Sequence, residues 1–456
     1  MDDIIVFGTG YYWEKRKNYV LNKNNILCFL DNDSSKEKKE LCGKSIFTPK
    51  ECKRFEYNYI LIISDKYEEE MQRQLLDIGV DSYKILNWEK YVECYFKEEY
   101  IEYIVNRIDD LDTLIISNYL DYTGAPMTAI YAAYALQNNG KKVILCAENA
   151  DERLIMELRG KIDIVLIPSL QYCINRKFAD LISKSNNIII NTFVLFPIVY
   201  RLSEKKNILW WIHETKNYFD EKNNWQIRIK ESIFNGVNVR AVSNMVKRNF
   251  NSFFMNIIED VMPYGIPDKR ESCFQKQSDK ITFALIGTVT PRKGQDIYIE
   301  SIKNLEPDIK RKAEFYIIGE CVENNYTKRI MEETKQIDDV YLIGTMTRSD
   351  LYSFLPKIDV VVCPSREEPM SIALTEAMMF GKPCIGSDNT GMSDYINDGI
   401  NGFVCKTENI YDLRDKMEYF ICNPQKINEM GNEARKVYDE YFSMTAFYDR
   451  LDEALN

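Results

Sequence analysis

Histidine is almost missing from this chain. His213 is the only one in 456 residues, so reactions that need several imidazole acid–base groups find little support. Cysteine is not scarce, with 12 residues, but none stand in C-x-x-C spacing and no zinc pattern appears. No long apolar run exists either. The most apolar window, residues 188–200, contains Asn191, Thr192 and Pro197 and is too short to cross a bilayer. Basic excess is also absent. The formal net charge is −11 and the sequence pI about 5.1, which disfavours general nucleic-acid binding. A small anionic ligand is still allowed, because local cations decide such a contact. The opening Met1-Asp2-Asp3 does not read as a secretory leader, so the cysteines are expected to be reduced thiols of a cytoplasmic protein. Tandem repeats and low-complexity segments are absent.

What is present is a strand–loop–helix rhythm. Hydrophobic residues make up 45% and charged residues 28%, a globular composition. The length calls for two or three domains. The most informative stretch runs from Pro364 to Ala377. It follows the apolar run Ile358 to Cys363, which reads as a buried parallel strand. It leads into an apolar-periodic helix from Ser371 to Phe380 that stops at Gly381. This puts Glu368 in the loop at a strand's C-terminal end and Glu376 about two turns into the helix. In an open α/β sheet that crevice is where ligands bind. Backbone N–H groups at Met370, Ser371 and Ile372 are expected to face it. Carboxylates on either side of such donors suit a ligand with both hydroxyls and phosphates, such as a nucleotide sugar.

A second unit of this kind starts at Ile281. Residues 281–287 read as a strand, Thr290 to Gly294 as a turn and Gln295 to Asn304 as a helix. Lys293 then sits beside a helix N-terminus, where an ammonium can neutralise a diphosphate leaving group. Residues 315–320, ending at Glu320, and 340–346, ending at Thr345 and Met346, read as further strands. Residues 383–388 add one more. Together these predict right-handed crossovers and one parallel sheet.

In its motifs and their register, the stretch from Ile281 to Phe403 resembles the family-4 retaining glycosyltransferases. Glu368 and Glu376 match that family's E-x7-E signature. Residues 287–294 match its G-R-x-x-x-x-K-G loop, except that Thr288 stands where the Arg usually is; Arg292 beside Lys293 is a candidate to replace the charge. Residues 390–403 complete the pattern, with Asp394 where Glu is usual. The resemblance implies the GT-B architecture: α/β, with two Rossmann-like domains facing a cleft. It implies that Glu368 meets the donor sugar and Glu376 the ribose. The base would lie near Glu320, Thr345 and Met346, held largely by backbone, and Thr288 would meet the donor.

The same rhythm fills residues 106–268, read as the acceptor domain, with 269–456 as the donor domain. Gly124-Ala125-Pro126, between a strand and its helix, matches the family's small-residue loop near the donor. An ordinary turn is an equal reading. His213 ends the strand containing Trp210 and Trp211, where many family members place a His facing the donor sugar; a structural histidine is an equal reading. The segment 268–280 reads as a linker. The helical segment from Ala434 to Leu455 is expected to cross back to the acceptor domain.

The first 105 residues are extra. Gly8-Thr9-Gly10 follows a strand and Asp31 ends a second one, but Trp13 stands at the third glycine position. This half-fingerprint is similar to the small Rossmann-like domain preceding bacterial sugar acetyltransferases, and a degenerate scaffold is the expected role. Asp31-Asn32-Asp33 spells a D-x-D metal motif of another fold; its place in the accessory domain argues against a metal role.

By resemblance, the chain is expected to be a retaining, metal-independent glycosyltransferase without a cofactor. A UDP- or GDP-sugar would be its donor substrate, and a saccharide or lipid-linked molecule its acceptor. Lys293, Glu368 and His213 are the candidate catalytic residues. The setting implied is bacterial surface polysaccharide or glycoconjugate synthesis. The basic-aromatic stretches 222–230 and 247–254 fit peripheral membrane contact, or equally helices packed on their own sheet. A GT-B epimerase, a phosphorylase and a non-catalytic sensor or assembly subunit are the rival readings. A phosphorylase would show a pyridoxal-binding lysine context, which is not seen.

Overall fold

A computed structural model describes residues 1–64, 66–104, 110–172, 175–202, 207–219, 229–270 and 280–456. The chain divides into two compact units. One comprises Met1–Ile101 with Leu166–Asp180, the other Glu102–Val165 with Leu181–Asn456. The three sequence segments thus fold as two units, and residues 166–180 join the first.

The first unit holds strands β1 (Asp2–Phe7), β2 (Asn24–Leu30), β3 (Glu40–Leu41), β4 (Lys44–Phe47), β5 (Tyr59–Ile62) and β6 (Ile85–Leu86), in the order β3-β4-β2-β1-β5-β6. Ile4, Ile5, Val6 and Phe7 are all buried, because a central parallel strand is covered on both faces. Trp13, in the first turn of the helix Tyr11–Leu21, is fully buried and packs edge-on against Phe29 at 4.8 Å. Asp31 accepts from Thr9 N at 3.2 Å, Lys36 Nζ at 3.0 Å, Asp33 N at 2.9 Å and the Thr9 hydroxyl. The acid that a dinucleotide ribose would need is therefore engaged internally. Burial works to raise its pKa; the Thr9, Asp33 and Lys36 contacts outweigh it and hold the carboxyl below the ordinary range.

The second unit carries two sheets. Continuing along the chain, β7 (Ile101–Tyr103), β8 (Leu111–Leu120), β9 (Val143–Ala150), β10 (Asp163–Leu166), β11 (Ser185–Asn191), β12 (Asn207–Ile212), β13 (Val237–Ala241) and β14 (Asp260–Val261) form one sheet, ordered β14-β13-β12-β11-β8-β9-β10-β7. Strands β15 (Ile281–Ile286), β16 (Ala313–Ile318), β17 (Val340–Gly344), β18 (Val360–Cys363), β19 (Cys384–Ser387) and β20 (Gly402–Cys405) form the other, ordered β17-β16-β15-β18-β19-β20 and parallel throughout. In each sheet the chain moves outward in one direction, then returns to build the other side. The reversal falls between β8 and β11 in the first sheet and between β15 and β18 in the second. Loops diverge at such a point and leave a crevice.

Two expectations need correction. Gly124, Ala125 and Pro126 are not a loop; they form the first turn of the helix Gly124–Asn138, with Thr123 at its N-cap. Proline fits there because first-turn N–H groups have no helical partner. The polar stretch from residue 118 is still strand as far as Leu120. The C-terminal segment is also not one helix. It breaks into Gln425–Val437, a π-turn at Tyr438–Phe442 and Met444–Leu455, restarted by the Ser443 cap. The last helix packs on Gly124–Asn138. Asn207 Nδ2 donates to Leu455 O at 2.6 Å and Asn238 Nδ2 to Ala454 O at 2.8 Å, so the chain end does cover the first sheet.

The stretch 222–228 and linker residues 271–279 lie outside the described residues. The helix Asn244–Phe253 buries Met245, Val246 and Phe250 against its own sheet, and Lys247 Nζ donates to the Glu259 carbonyl. No helix among the described residues is long and apolar enough to cross a membrane.

Candidate active site

Two turns meet at the reversal point of the second sheet. After β15 the chain forms a short 3-10 turn, Pro291–Lys293, closed by Gly294 at φ 74°. A Cβ at Gly294 would lie 2.4 Å from Pro364 O, so only glycine lets this turn sit against the loop after β18. That loop carries Glu368, which is buried. Lys293 Nζ lies 2.6 Å and Arg292 Nη1 2.9 Å from Glu368 Oε2. Arg292 Nη1 also donates to Glu367 O at 3.0 Å. Burial pushes the Glu368 carboxyl up, but Lys293 and then Arg292 outweigh it and hold it below the usual range. Two predicted cations thus converge on one oxygen of a third predicted residue.

Arg366 braces this arrangement and was not singled out in the sequence. Its backbone N–H donates to Arg292 O at 2.8 Å. Its guanidinium grips Asp296, in the first turn of the helix Gln295–Lys303, through two bonds of 3.0 and 2.9 Å. Bidentate pairing fixes orientation as well as distance.

The helix after β18 spans Ile372–Met379, with Ser371 as N-cap accepting from Leu374 N. The N–H groups of its first turn are therefore those of Ile372, Ala373 and Leu374, two residues later than expected. Met370 and Ser371 precede the helix and are buried. Glu376 lies in the second turn, 2% exposed. It is not waiting alone. Arg348, at the start of the helix Arg348–Phe354, pairs with its Oε1, and Tyr352 OH donates to the same oxygen at 3.0 Å. Arg348 and Tyr352 are four residues apart and so share a helix face. Tyr131, from the helix of the first sheet, is buried. No local motif marks Arg348 as the partner of Glu376.

The remaining predicted contacts are weaker. Thr288 is half-buried, and its carbonyl accepts from Gln295 Nε2 at 3.1 Å. Glu320 is exposed at its side chain, and its carbonyl accepts from Val289 N at 2.8 Å. Thr345 is exposed and Met346 half-buried, just past β17.

On the first sheet, His213 directly follows β12. It is 9% exposed, and its ring lies 4.6 Å from that of Trp211. Burial lowers its pKa to about 3, so the imidazole is neutral at ordinary pH. Glu214 next to it accepts from Phe193 N at 2.8 Å and His213 N at 3.0 Å. Its carboxylate ties the exits of β11 and β12 together, and burial raises its pKa to about 7. Ser243 Oγ, after β13, donates to Pro369 O at 2.7 Å, joining the first sheet's edge to the Glu368 loop. Gly391 also lies there; a Cβ on it would come within 2.0 Å of Pro369 O and 2.6 Å of Ser243 Oγ. Among the described residues no group of three or more His, Cys, Asp or Glu side chains is placed to hold a metal ion.

Parts of the chain are similar to known proteins. Residues 268–437 match the family described as Glycosyl transferases group 1, and residues 111–249 match Glycosyl-transferase family 4. Residues 1–86 match C2185-like, N-terminal, rather than a family described by acetyl transfer. The chain is 25% identical over 173 residues to an alpha-D-kanosaminyltransferase of Streptomyces kanamyceticus, covering 38% of this chain and 45% of that protein. It is 27% identical over 175 residues to a poly(ribitol-phosphate) alpha-N-acetylglucosaminyltransferase of Staphylococcus aureus, covering 38% and 35%. It thus spans less than half the length of these relatives. Anabaena HepE, solved with UDP and glucose, superposes with a TM-score of 0.63 at 16% identity over 76% of this chain and 99% of that one. The second unit has the GT-B fold.

Proposed function

We propose, from this fold and the two glycosyltransferase matches, that the protein transfers a sugar from a nucleotide-sugar donor to a saccharide or lipid-linked acceptor. We further propose that it does so with retention and without a bound metal, in bacterial surface polysaccharide or glycoconjugate synthesis. The observation carrying this reading is the meeting of Lys293 and Arg292 on Glu368 at the reversal point of a parallel sheet. When a donor enters, its diphosphate offers these cations a new anionic partner. Lys293 then faces charge that grows as the sugar–phosphate bond breaks, the interaction that most favours a transition state. Glu368, relieved of one cation, is left to accept from sugar hydroxyls. Glu376 receives the ribose hydroxyls in competition with Arg348. The acceptor lies toward the first sheet, and its proton leaves with the departing phosphate. The first unit serves as scaffold.

Thermal shift with UDP-glucose, UDP-N-acetylglucosamine, GDP-mannose, UDP and GDP identifies the donor. Labelled donor, with and without acceptor extract, then follows transfer, and product NMR reads the anomeric configuration. Transfer is expected only with acceptor, with the donor's configuration kept and rates unchanged by chelator. Donor binding without turnover would favour a sensor or assembly subunit. Loss of transfer on chelation, restored by Mn²⁺ or Mg²⁺, would end the metal-independent reading.

A further inference from the structure

Both side chains that donate to the Glu376 carboxylate come from one short helix, Arg348–Phe354. Oε1 accepts from Arg348 Nη1 and, at 3.0 Å, from Tyr352 OH; Arg348 Nη1 also donates to the Tyr352 oxygen at 3.2 Å. The three groups close a triangle. The Glu376 side chain is 3% exposed and the Arg348 side chain 26%, so the arginine forms the outer layer.

This helix is lightly held. Leu351 is the one buried residue among its seven. So short a helix is not stable by itself, and a segment with few buried apolar contacts opens locally at low cost. The grip on Glu376 is also incomplete. Arg366 holds Asp296 through two nitrogens. Arg348 reaches Glu376 with Nη1 alone, and its buried Nε has no hydrogen-bond partner among the described residues. A buried donor left over costs free energy, and a single contact lacks the directional hold of a fork. Charge keeps this clasp shut, and neither its fit nor its helix resists exchange.

We propose that Arg348 and Tyr352 are an internal competitor of the nucleotide: they occupy Glu376 in the free protein, yield it to the ribose when the donor binds, and reclaim it after transfer to speed release of the spent nucleotide. This rests on the glycosyltransferase reading, in which Glu376 meets the ribose. Two neighbouring hydroxyls bring two donors to an oxygen pair that already accepts two. The exchange therefore keeps the buried carboxylate satisfied throughout, as burial of a charge demands. A donor still carrying its sugar has further contacts at the Glu368 end, which offset the competition. The bare nucleotide lacks them, so the competitor weighs most on the product.

Calorimetry of UDP and GDP on the full chain tests this, with the tighter of the two on wild type as the probe. Tyr352→Phe removes one competing donor and keeps the ring. It is expected to tighten the probe roughly three- to tenfold. Arg348→Met removes the cation and keeps an apolar stem. It is expected to tighten the probe roughly tenfold or more while lowering the melting temperature, an opposition of signs that a merely structural ion pair does not give. Stopped-flow displacement should place the change in a slower dissociation rate. Unchanged or weaker binding in either folded variant, or tightening through association alone, would overturn the proposal. If Arg348→Met does not fold, Tyr352→Phe carries the test. A wild-type protein that binds neither nucleotide would instead overturn the glycosyltransferase reading beneath it.

Discussion

The reversal points of the two sheets in the second unit are built from opposite materials. In the second sheet the polar groups are ions, and the ions are paired: Lys293 and Arg292 with Glu368, Arg348 with Glu376. In the first sheet, beside the buried Glu214, stand the neutral Asn191 Oδ1, Thr192 Oγ1 and His213 Nε2, which have no hydrogen-bond partner among the described residues. The same strand grammar gives one edge whose groups can only exchange partners and another whose groups have partners to gain. An isolated buried charge costs far more than an unpaired amide or hydroxyl. Charges must therefore be satisfied before a ligand arrives, whereas neutral groups can wait.

The largest test of the ionic side is Lys293→Ala. Loss of one preorganised donor to growing charge should lower kcat by about 2.7–4 kcal/mol. Glu376→Ala, facing hydroxyls that change little during reaction, should mainly raise the donor KM. Steady-state kinetics on both variants decides the point, and the reverse pattern would mean that these residues have been given each other's roles. Next comes Arg348→Ala, which leaves Glu376 buried without its cation and should cost roughly 3 kcal/mol of stability. A melting temperature unchanged from wild type would show that Glu376 does not depend on this pair, and the contrast between the two edges would lose half its basis.

The smallest effect sharpens the neutral side. The Glu214 pKa is raised from 4.5 to about 7. Its contribution is fully present below about pH 4.5 and is lost as pH rises through 7. Glu214→Gln removes that dependence, so its stability relative to wild type should climb between pH 5 and 8. His213, lowered to about 3, acts the other way: its contribution is present above pH 6.5 and is lost as pH falls toward 3. Unfolding temperatures of Glu214→Gln and wild type across this range read the difference. A flat difference would return Glu214 to an ordinary surface acid.

Much of the ionic edge could be read in the sequence because its parts are local. Lys293 and Glu368 each follow a strand and precede a helix, and such units are spelled by short apolar runs and turn residues. Arg348 could not be read this way. It reaches Glu376 across 28 residues from the helix of the crossover that joins β17 to β18, strands that two others separate in the sheet. Asn191 was visible only as a polar residue interrupting an apolar window. Its amide partner, Ala125 O, lies on the helix that follows β8, the neighbouring strand. The helix beginning at Gly124 was misplaced because proline reads as a breaker, yet the first turn tolerates it. Residues 166–180 carried no local sign that they would pack with the first unit. There Asn175 Nδ2 donates to Glu99 O at 3.4 Å. Cutting the chain near residue 105 would therefore strip these residues of their partners.

The closing helix, Met444–Leu455, bears on how the protein is made. It covers strands that leave the ribosome some two hundred residues earlier, with Phe447 against Trp211 at 5.6 Å and its last carbonyls bonded to Asn207 and Asn238. Domains ordinarily fold in the order of their synthesis. Here the sheet made earlier in the second unit must wait for the helix that closes the other half. During translation its tryptophan-bearing face stays bare, and the nascent chain carries an apolar surface for chaperones until the final turns emerge.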